Sequence, residues 1–340
     1  MTESISPIHD GNREAASQFD CAPILLIGFN RPDFMANQIA EIKSVCPRRL
    51  YVAVDGPRAN RVEDVECCRK VRECVKLVDW PCEVKTLFRE NNLGCKYGVS
   101  TAISWFFENE EFGIILEDDI KVTGDFLRFA SEMLERYKHD TRIGAINGFN
   151  FFNLQSDNSV SYHFSAHMDV WGWASWRRVW NQYDVEVIGH EDEYLKAIDN
   201  SAATPYMQSI YRKFLSDVKD GLSTWDVQLS LLFMSRHLLS IVPRERLVTN
   251  AGISDKRATH TGGYVYWDDE WKKIGTLDFP LVHPTEVSCD KKADYIRERM
   301  EGAIVPRGLT WIGAKCPYLC DFLTIVGKSM EKIAPILFRC

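Results

Sequence analysis

The segment Phe112-Gly-Ile-Ile-Leu-Glu117-Asp118-Asp119 constrains this chain most: an apolar run stops abruptly in three carboxylates. A run that short, bounded by glycine and charge, reads as a strand buried on both faces of a sheet. Three acids at its carboxyl end repel one another unless a cation or hydrogen-bond donors offset the charge. Carboxylate oxygens suit hard divalent ions, Mg²⁺ or Mn²⁺, which commonly bridge to the phosphates of a substrate. Open α/β sheets also place their ligand crevice beyond these strand ends. The alternative is three solvated acids that cap the next helix, an account that suits one acid better than three in a row.

The strand does not stand alone. Ala22–Phe29, Leu50–Asp55, Glu83–Arg89 and Gly113–Asp118 read as four short apolar strands, separated by helical patterns over Asp33–Ser44, Glu63–Val78 and Tyr97–Asn109. This alternation predicts βαβ units, hence an α/β fold with a central, mostly parallel sheet flanked by helices, Rossmann-like in plan. After the acids, Phe126, Phe129, Ala130, Met133, Leu134 and Tyr137 recur at steps of three and four behind the start signal Thr123-Gly-Asp125. That stripe is core, and a further strand follows over Arg142–Phe149. The second half is less regular, with helices expected at Glu191–Ile198, Pro205–Lys219 and Asp226–His237 and a Gly-rich loop over 250–275.

A chain of 340 residues exceeds the usual single domain, so we divide it into four stretches. Residues 1–20 read as a flexible polar leader, 21–150 as a regular half and 151–275 as the less regular half of the same domain. Residues 276–340 read as a helical extension whose last part, from Trp311, mixes apolar and basic positions. Such a segment either lies on a membrane surface or packs on its own domain or a twin subunit. The net charge of −7 argues against a nucleic-acid partner, which needs a basic footprint. The eleven cysteines form no Cys-x-x-Cys pair, as expected of free thiols in a reducing cytosol. The start lacks an apolar signal region and no run reaches membrane-span length, so a cytoplasmic protein is expected.

Several loops at the strand ends carry chemistry. Gly28 in Ile27-Gly-Phe-Asn30-Arg31-Pro32 lets a ligand approach the backbone, and Arg31 at a helix start suits an anion or a planar base. Asp55 in Val54-Asp-Gly-Pro57 is a carboxylate at a strand end or, equally, a turn residue bonded to its own backbone. Arg89-Glu-Asn-Asn92-Leu-Gly94-Cys-Lys96 is a polar, Gly-bearing loop that feeds a helix. Trp171-Gly172-Trp173-Ala-Ser-Trp176 is too dense in tryptophan for an ordinary surface. We expect one indole to line a cleft and the others to pack.

Gly28-Phe-Asn-Arg-Pro, the Asp55 turn, Asn91-Asn-Leu-Gly and Glu117-Asp-Asp resemble the nucleotide-sugar half of the GT-A glycosyltransferases. The likeness is to N-acetylglucosaminyltransferase I and to bacterial family-2-like transferases with a Trp-Gly-Trp motif. Trp171-Gly-Trp-Ala-Ser-Trp, Thr224-Trp-Asp-Val-Gln228 and Ala258-Thr-His-Thr-Gly262 resemble the bacterial branch, and the match spans roughly 22–265. The resemblance implies that Gly28, Asn30, Arg31, Asp55, Asn92 and Lys96 surround the nucleotide. Glu117 and Asp118 would face the ribose or donor sugar beside Trp171, Gly172 and Trp173. Asp119 of this DXD-like motif, with His260, would hold Mn²⁺ or Mg²⁺, although His260 reads equally well as a loop histidine without a partner. Asp226 would be the general base, with Trp225 at the acceptor; an acid in a first helical turn is also favoured by the helix dipole alone.

The expected function is therefore a metal-dependent, inverting hexosyl- or N-acetylhexosaminyltransferase. It would move sugar from a UDP-type nucleotide donor to a glycan or glycolipid acceptor hydroxyl in bacterial surface-glycan synthesis. The C-terminal segment would allow peripheral membrane contact or a homodimer. The rivals are a sugar nucleotidyltransferase and a non-catalytic glycan-binding protein of the same fold.

Overall fold

The computed structural model describes residues 19–151, 153–187, 189–201, 203–255, 257 and 273–303. His260 and the segment 304–340, with the expectations placed on them, lie outside these residues. The first half alternates as its periodicity requires. Strands β1 (Ile24–Gly28), β2 (Arg49–Val54), β3 (Glu83–Phe88) and β4 (Phe112–Glu117) are separated by helices α1 (Pro32–Ile42), α2 (Val62–Glu73) and α3 (Gly94–Asn109). β1 pairs in parallel with both β2 and β4, and β2 pairs in parallel with β3, so all four carboxyl ends open on one side. β1 is buried along its whole length and β3, at the sheet edge, is only partly covered, which explains why Glu83 and Lys85 are tolerated there.

Beyond the acids lie the short strand β5 (Ile120–Val122) and helix α4 (Gly124–Arg136). The Thr123 hydroxyl caps α4 by accepting from the Phe126 amide, and Phe126, Phe129, Ala130, Met133 and Leu134 are fully buried. Then come β6 (Ile143–Asn147), β7 (Tyr162–Ser165), β8 (Trp173–Trp176) and the one-turn helix α5 (Arg177–Trp180). Helices α6 (Glu191–Asn200), α7 (Pro205–Lys219) and α8 (Asp226–Ser235) precede β9 (Leu239–Pro243) and β10 (Val248–Asn250), and α9 (Lys291–Ala303) closes the described chain.

The eight-stranded sheet runs β3-β2-β1-β4-β8-β6-β9-β7, an α/β sheet that is parallel in four of its seven pairings. It is continuous across residue 150, because β8 inserts antiparallel between β4 and β6. The tryptophan-rich segment thus supplies a central strand. Helix α8 carries buried apolar residues on two faces. Leu229, Leu232 and Phe233 join the sheet core, whereas Val227 and Leu231 join a second cluster with Tyr194, Ile198, Leu215 and Val218 of α6 and α7. Burial on both sides clamps α8 and so fixes where its first residue, Asp226, points. No described helix is long and apolar enough to cross a membrane.

Candidate active site

A cavity of about 540 Å³ lies across the carboxyl ends of β1, β2, β3 and β4. Gly28, Asn30, Arg31, Asp55, Asn92, Glu117, Asp118, Asp119, Trp171 and Asp226 line it, so residues from six separate stretches converge.

Each is held by identifiable contacts. The Asp55 carboxylate accepts from the amides of Gly56, Leu93 and Gly94 and from the Asn92 side chain at 2.9–3.1 Å. Its lone pairs are thereby spent on fixing the loop that opens α3, the local turn role that a strand-end aspartate can take. Gly56 is required there, since a Cβ would fall 2.3–2.6 Å from the Asn91 backbone. Gly28 is small for its own neighbours: a Cβ would meet the Met35 methyl at 2.4 Å. Asn30 donates to Asp64, which also holds Arg58.

Arg31 donates to Asp118 and, at 3.0 Å, to Asp119. Its guanidinium also lies 5.1 Å from the Phe34 ring centroid, as does that of Arg257. Burial pushes the Asp118 carboxyl up to about 7 against the pull of Arg31, and its Oδ2 is buried without a hydrogen-bond partner. Glu117 is raised first by burial and then by Asp119, Asp118 and Asp226, whose charge reaches it across the cavity. The Cys95 thiol on the same wall is pushed to about 12 by burial and by Glu117 and Asp226, so it is a neutral S–H.

Strand β5 pairs with β10, and this ribbon delivers the next segment to Asp119: the Ala251 amide donates to the Asp119 carbonyl at 2.8 Å. A Cβ on Gly252 would fall 2.3 Å from Asp119 Oδ2, so only glycine lets this loop pass the acid.

The aromatic motif divides. Trp171 is half-buried, lines the cavity and meets Phe149 edge-on at 4.8 Å. Trp173 and Trp176 are 2% and 3% exposed and belong to the core. Gly172 adopts φ +60, and Val248 of β10 approaches it, 2.9 Å from a notional Cβ. Trp225 is 3% exposed, stacks on Trp173 at 5.9 Å and is absent from the cavity lining. The reason is packing: an indole sandwiched between α8 and the sheet buries more apolar area than one in a wet cleft. Lys96 is likewise outside the lining, held by Glu186 at 2.8 Å.

Sequence reasoning missed Arg58, Gly252 and Arg257 and named Arg89 only as the start of a polar loop, yet all four line the cavity. Arg58 and Arg257 are each paired with acids. Arg89 donates to the Thr101 hydroxyl and, among the described residues, is the one cavity arginine without a carboxylate partner. Its place just after β3 is the one sequence signal it carries.

The donor set fits a hard divalent ion in one specific way. Carboxylate oxygens of the right kind face the cavity, yet among the described residues no three His, Cys, Asp or Glu side chains form a ready cluster. An ion there would need further oxygens from a bound ligand, the usual habit of Mg²⁺ at phosphate sites.

No family model and no curated protein matches the chain. Among solved structures, HddC from Yersinia pseudotuberculosis is similar at a TM-score of 0.30 and 12% identity, over 48% of this chain and 80% of that one. UDP-glucose pyrophosphorylase complexed with UDP-glucose is similar at 0.32 and 7%, over 65% and 90%.

Proposed function

We propose that the cavity binds a nucleotide-diphosphate sugar and that the chain is a GT-A-like glycosyltransferase that passes the sugar to an acceptor hydroxyl. One observation carries this reading: Asp226, at the first turn of α8, lines the same cavity as Glu117-Asp118-Asp119 at the end of β4. An acid away from the diphosphate end is what a direct inverting transfer needs. Asp226 accepts the proton of the acceptor hydroxyl as that oxygen bonds to the anomeric carbon, and the nucleoside diphosphate leaves with the electron pair of the broken C–O bond. Arg89 and Asn92 bind the nucleotide end, and Trp171 presents a flat face to a sugar ring. Asp119 would hold Mn²⁺ or Mg²⁺, which when bound supplies Lewis-acid stabilisation of the departing diphosphate. A glycan or glycolipid acceptor in bacterial surface-glycan synthesis at the cytosolic membrane face is part of the same proposal.

The same acids and arginines would equally suit a nucleotidyltransferase that makes a nucleotide sugar from a nucleoside triphosphate, and Asp226 is what tilts the choice. Two measurements separate the readings. A thermal-shift panel of nucleoside diphosphates and nucleotide sugars, with and without Mn²⁺, should show metal-dependent stabilisation by one nucleotide. Turnover should then release nucleoside diphosphate from the nucleotide sugar. Pyrophosphate release from a nucleoside triphosphate and a sugar phosphate would establish the second reading, and binding without turnover would leave a glycan-binding protein.

A further inference from the structure

Arg31 does something that the proposed reaction does not require. Its guanidinium joins Asp118 to Asp119, with 17% of its side chain exposed against 2% and 18% for the two acids. The three groups lie on the cavity wall. Arg31 precedes the first residue of α1, so its backbone is anchored while its side chain crosses to β4. The acids are tethered too, Asp119 through its carbonyl to Ala251. The guanidinium is thus held by the two acids and the Phe34 ring, and it sits on the very acid that would take a metal.

A dication at Asp119 meets a positive charge already there and, by the spacing of the described acids, too few protein oxygens to displace it. A diphosphate changes both terms. Its oxygens add ligands for the ion, and its negative charge offers the guanidinium a second, bidentate partner. We propose that Arg31 is a positioning residue that occupies the cation position between Asp118 and Asp119, so that a divalent ion binds only together with an anionic phosphate ligand that draws Arg31 away. The inference rests on the metal–diphosphate part of the reading above and adds the coupling. Metal and nucleotide each raise the other's affinity by one shared factor, as linkage demands. Ion binding without substrate is suppressed by the protein's own side chain.

The test is Mn²⁺ binding to the full chain, with free Mn²⁺ followed by electron paramagnetic resonance, in the absence and presence of UDP. Wild type should bind Mn²⁺ about tenfold or more tightly with UDP than without. Arg31→Met should bind Mn²⁺ alone about tenfold or more tightly than wild type alone, and the enhancement by UDP should shrink by the same factor. Adding Asp119→Asn to that variant should abolish the gain and so locate the ion. Arg31→Lys, which keeps the charge, should stay close to wild type. If Arg31 merely orients the two acids, Arg31→Met alone will bind Mn²⁺ no better than wild type or worse, and the proposal is overturned. Should Arg31→Met not melt cooperatively, Arg31→Gln gives the same comparison. If no nucleotide promotes Mn²⁺ binding to wild type while Arg31→Met binds the ion alone, the competition stands and the donor reading falls. Binding in neither protein under any condition overturns both.

Discussion

The Tyr183 hydroxyl donates to the backbone carbonyl of Trp225 at 2.9 Å and thereby fixes the residue immediately before Asp226. Tyr183 is itself stacked on Trp180 at 4.2 Å and 11°, and Trp225 is stacked on Trp173 at 5.9 Å and 24°. An aromatic column running from the sheet to the start of α8 therefore sets the direction of one carboxylate. Tyr183→Phe keeps the ring and removes one hydrogen bond to a buried carbonyl, at a cost of about 0.5–1.5 kcal/mol. The expected result is a lower melting temperature with a fall in kcat that exceeds any change in donor KM, read by calorimetry and steady-state kinetics.

Asp226→Asn keeps the shape and removes the proton acceptor. Transfer should fall by about 10²–10⁴-fold, the usual worth of general base catalysis. Donor affinity, measured by isothermal titration, should hold. Full transfer by this variant would remove Asp226 from the chemistry.

Arg89→Ala removes the cavity guanidinium that no described acid engages. Charge-assisted contacts to a ligand are worth about 1.5–3 kcal/mol, so donor KM should rise roughly 10–100-fold with kcat little changed. An unaltered KM would place the nucleotide elsewhere.

Gly252→Ala puts a methyl where Asp119 Oδ2 now lies, 2.3 Å away. The acid must shift. Nucleotide-dependent Mn²⁺ binding should weaken by about tenfold or more, on the scale of lost ligand support at metal sites. Circular dichroism should remain that of wild type, because the loop carries little of the core.

The pH dependence of stability has a clear sign at Glu298. Its buried carboxylate takes hydrogen bonds from the His167 ring at 3.0 Å and from the Thr204 amide, and these outweigh burial to hold its pKa below the ordinary 4.5. The folded state thus binds its proton less readily than the unfolded chain. The stabilisation is present above pH 4.5 and is lost as pH falls through the lower folded value. Glu298→Gln should melt lower at pH 7 yet show a shallower loss of melting temperature below pH 4.5 than wild type, and parallel acid limbs would refute this.

Much of the first half was legible because its signals are local. β1 to β4 fall within two residues of the expected strands, and Thr123 caps α4 where its motif predicts. The strands β5 and β10 escaped notice because each is three residues long and their partners are remote in sequence. β8 was not expected as a strand because its tryptophans lie in a segment buried on both faces, with no alternation to betray it. Trp225 was misplaced for a related reason: nothing near it shows that Trp173 waits opposite.

On its own, the amino-acid order determined a run of buried strands and the acids that end β4, since side-chain periodicity and the crowding of like charges act between near neighbours. Tertiary structure alone decided which groups answer those acids. It set Arg31 against Asp118 and Asp119, carried Gly252 past Asp119 on the β5–β10 ribbon, and aimed Asp226 from a helix clamped between two cores. Charge pairing and close packing depend on distances that only the folded chain establishes.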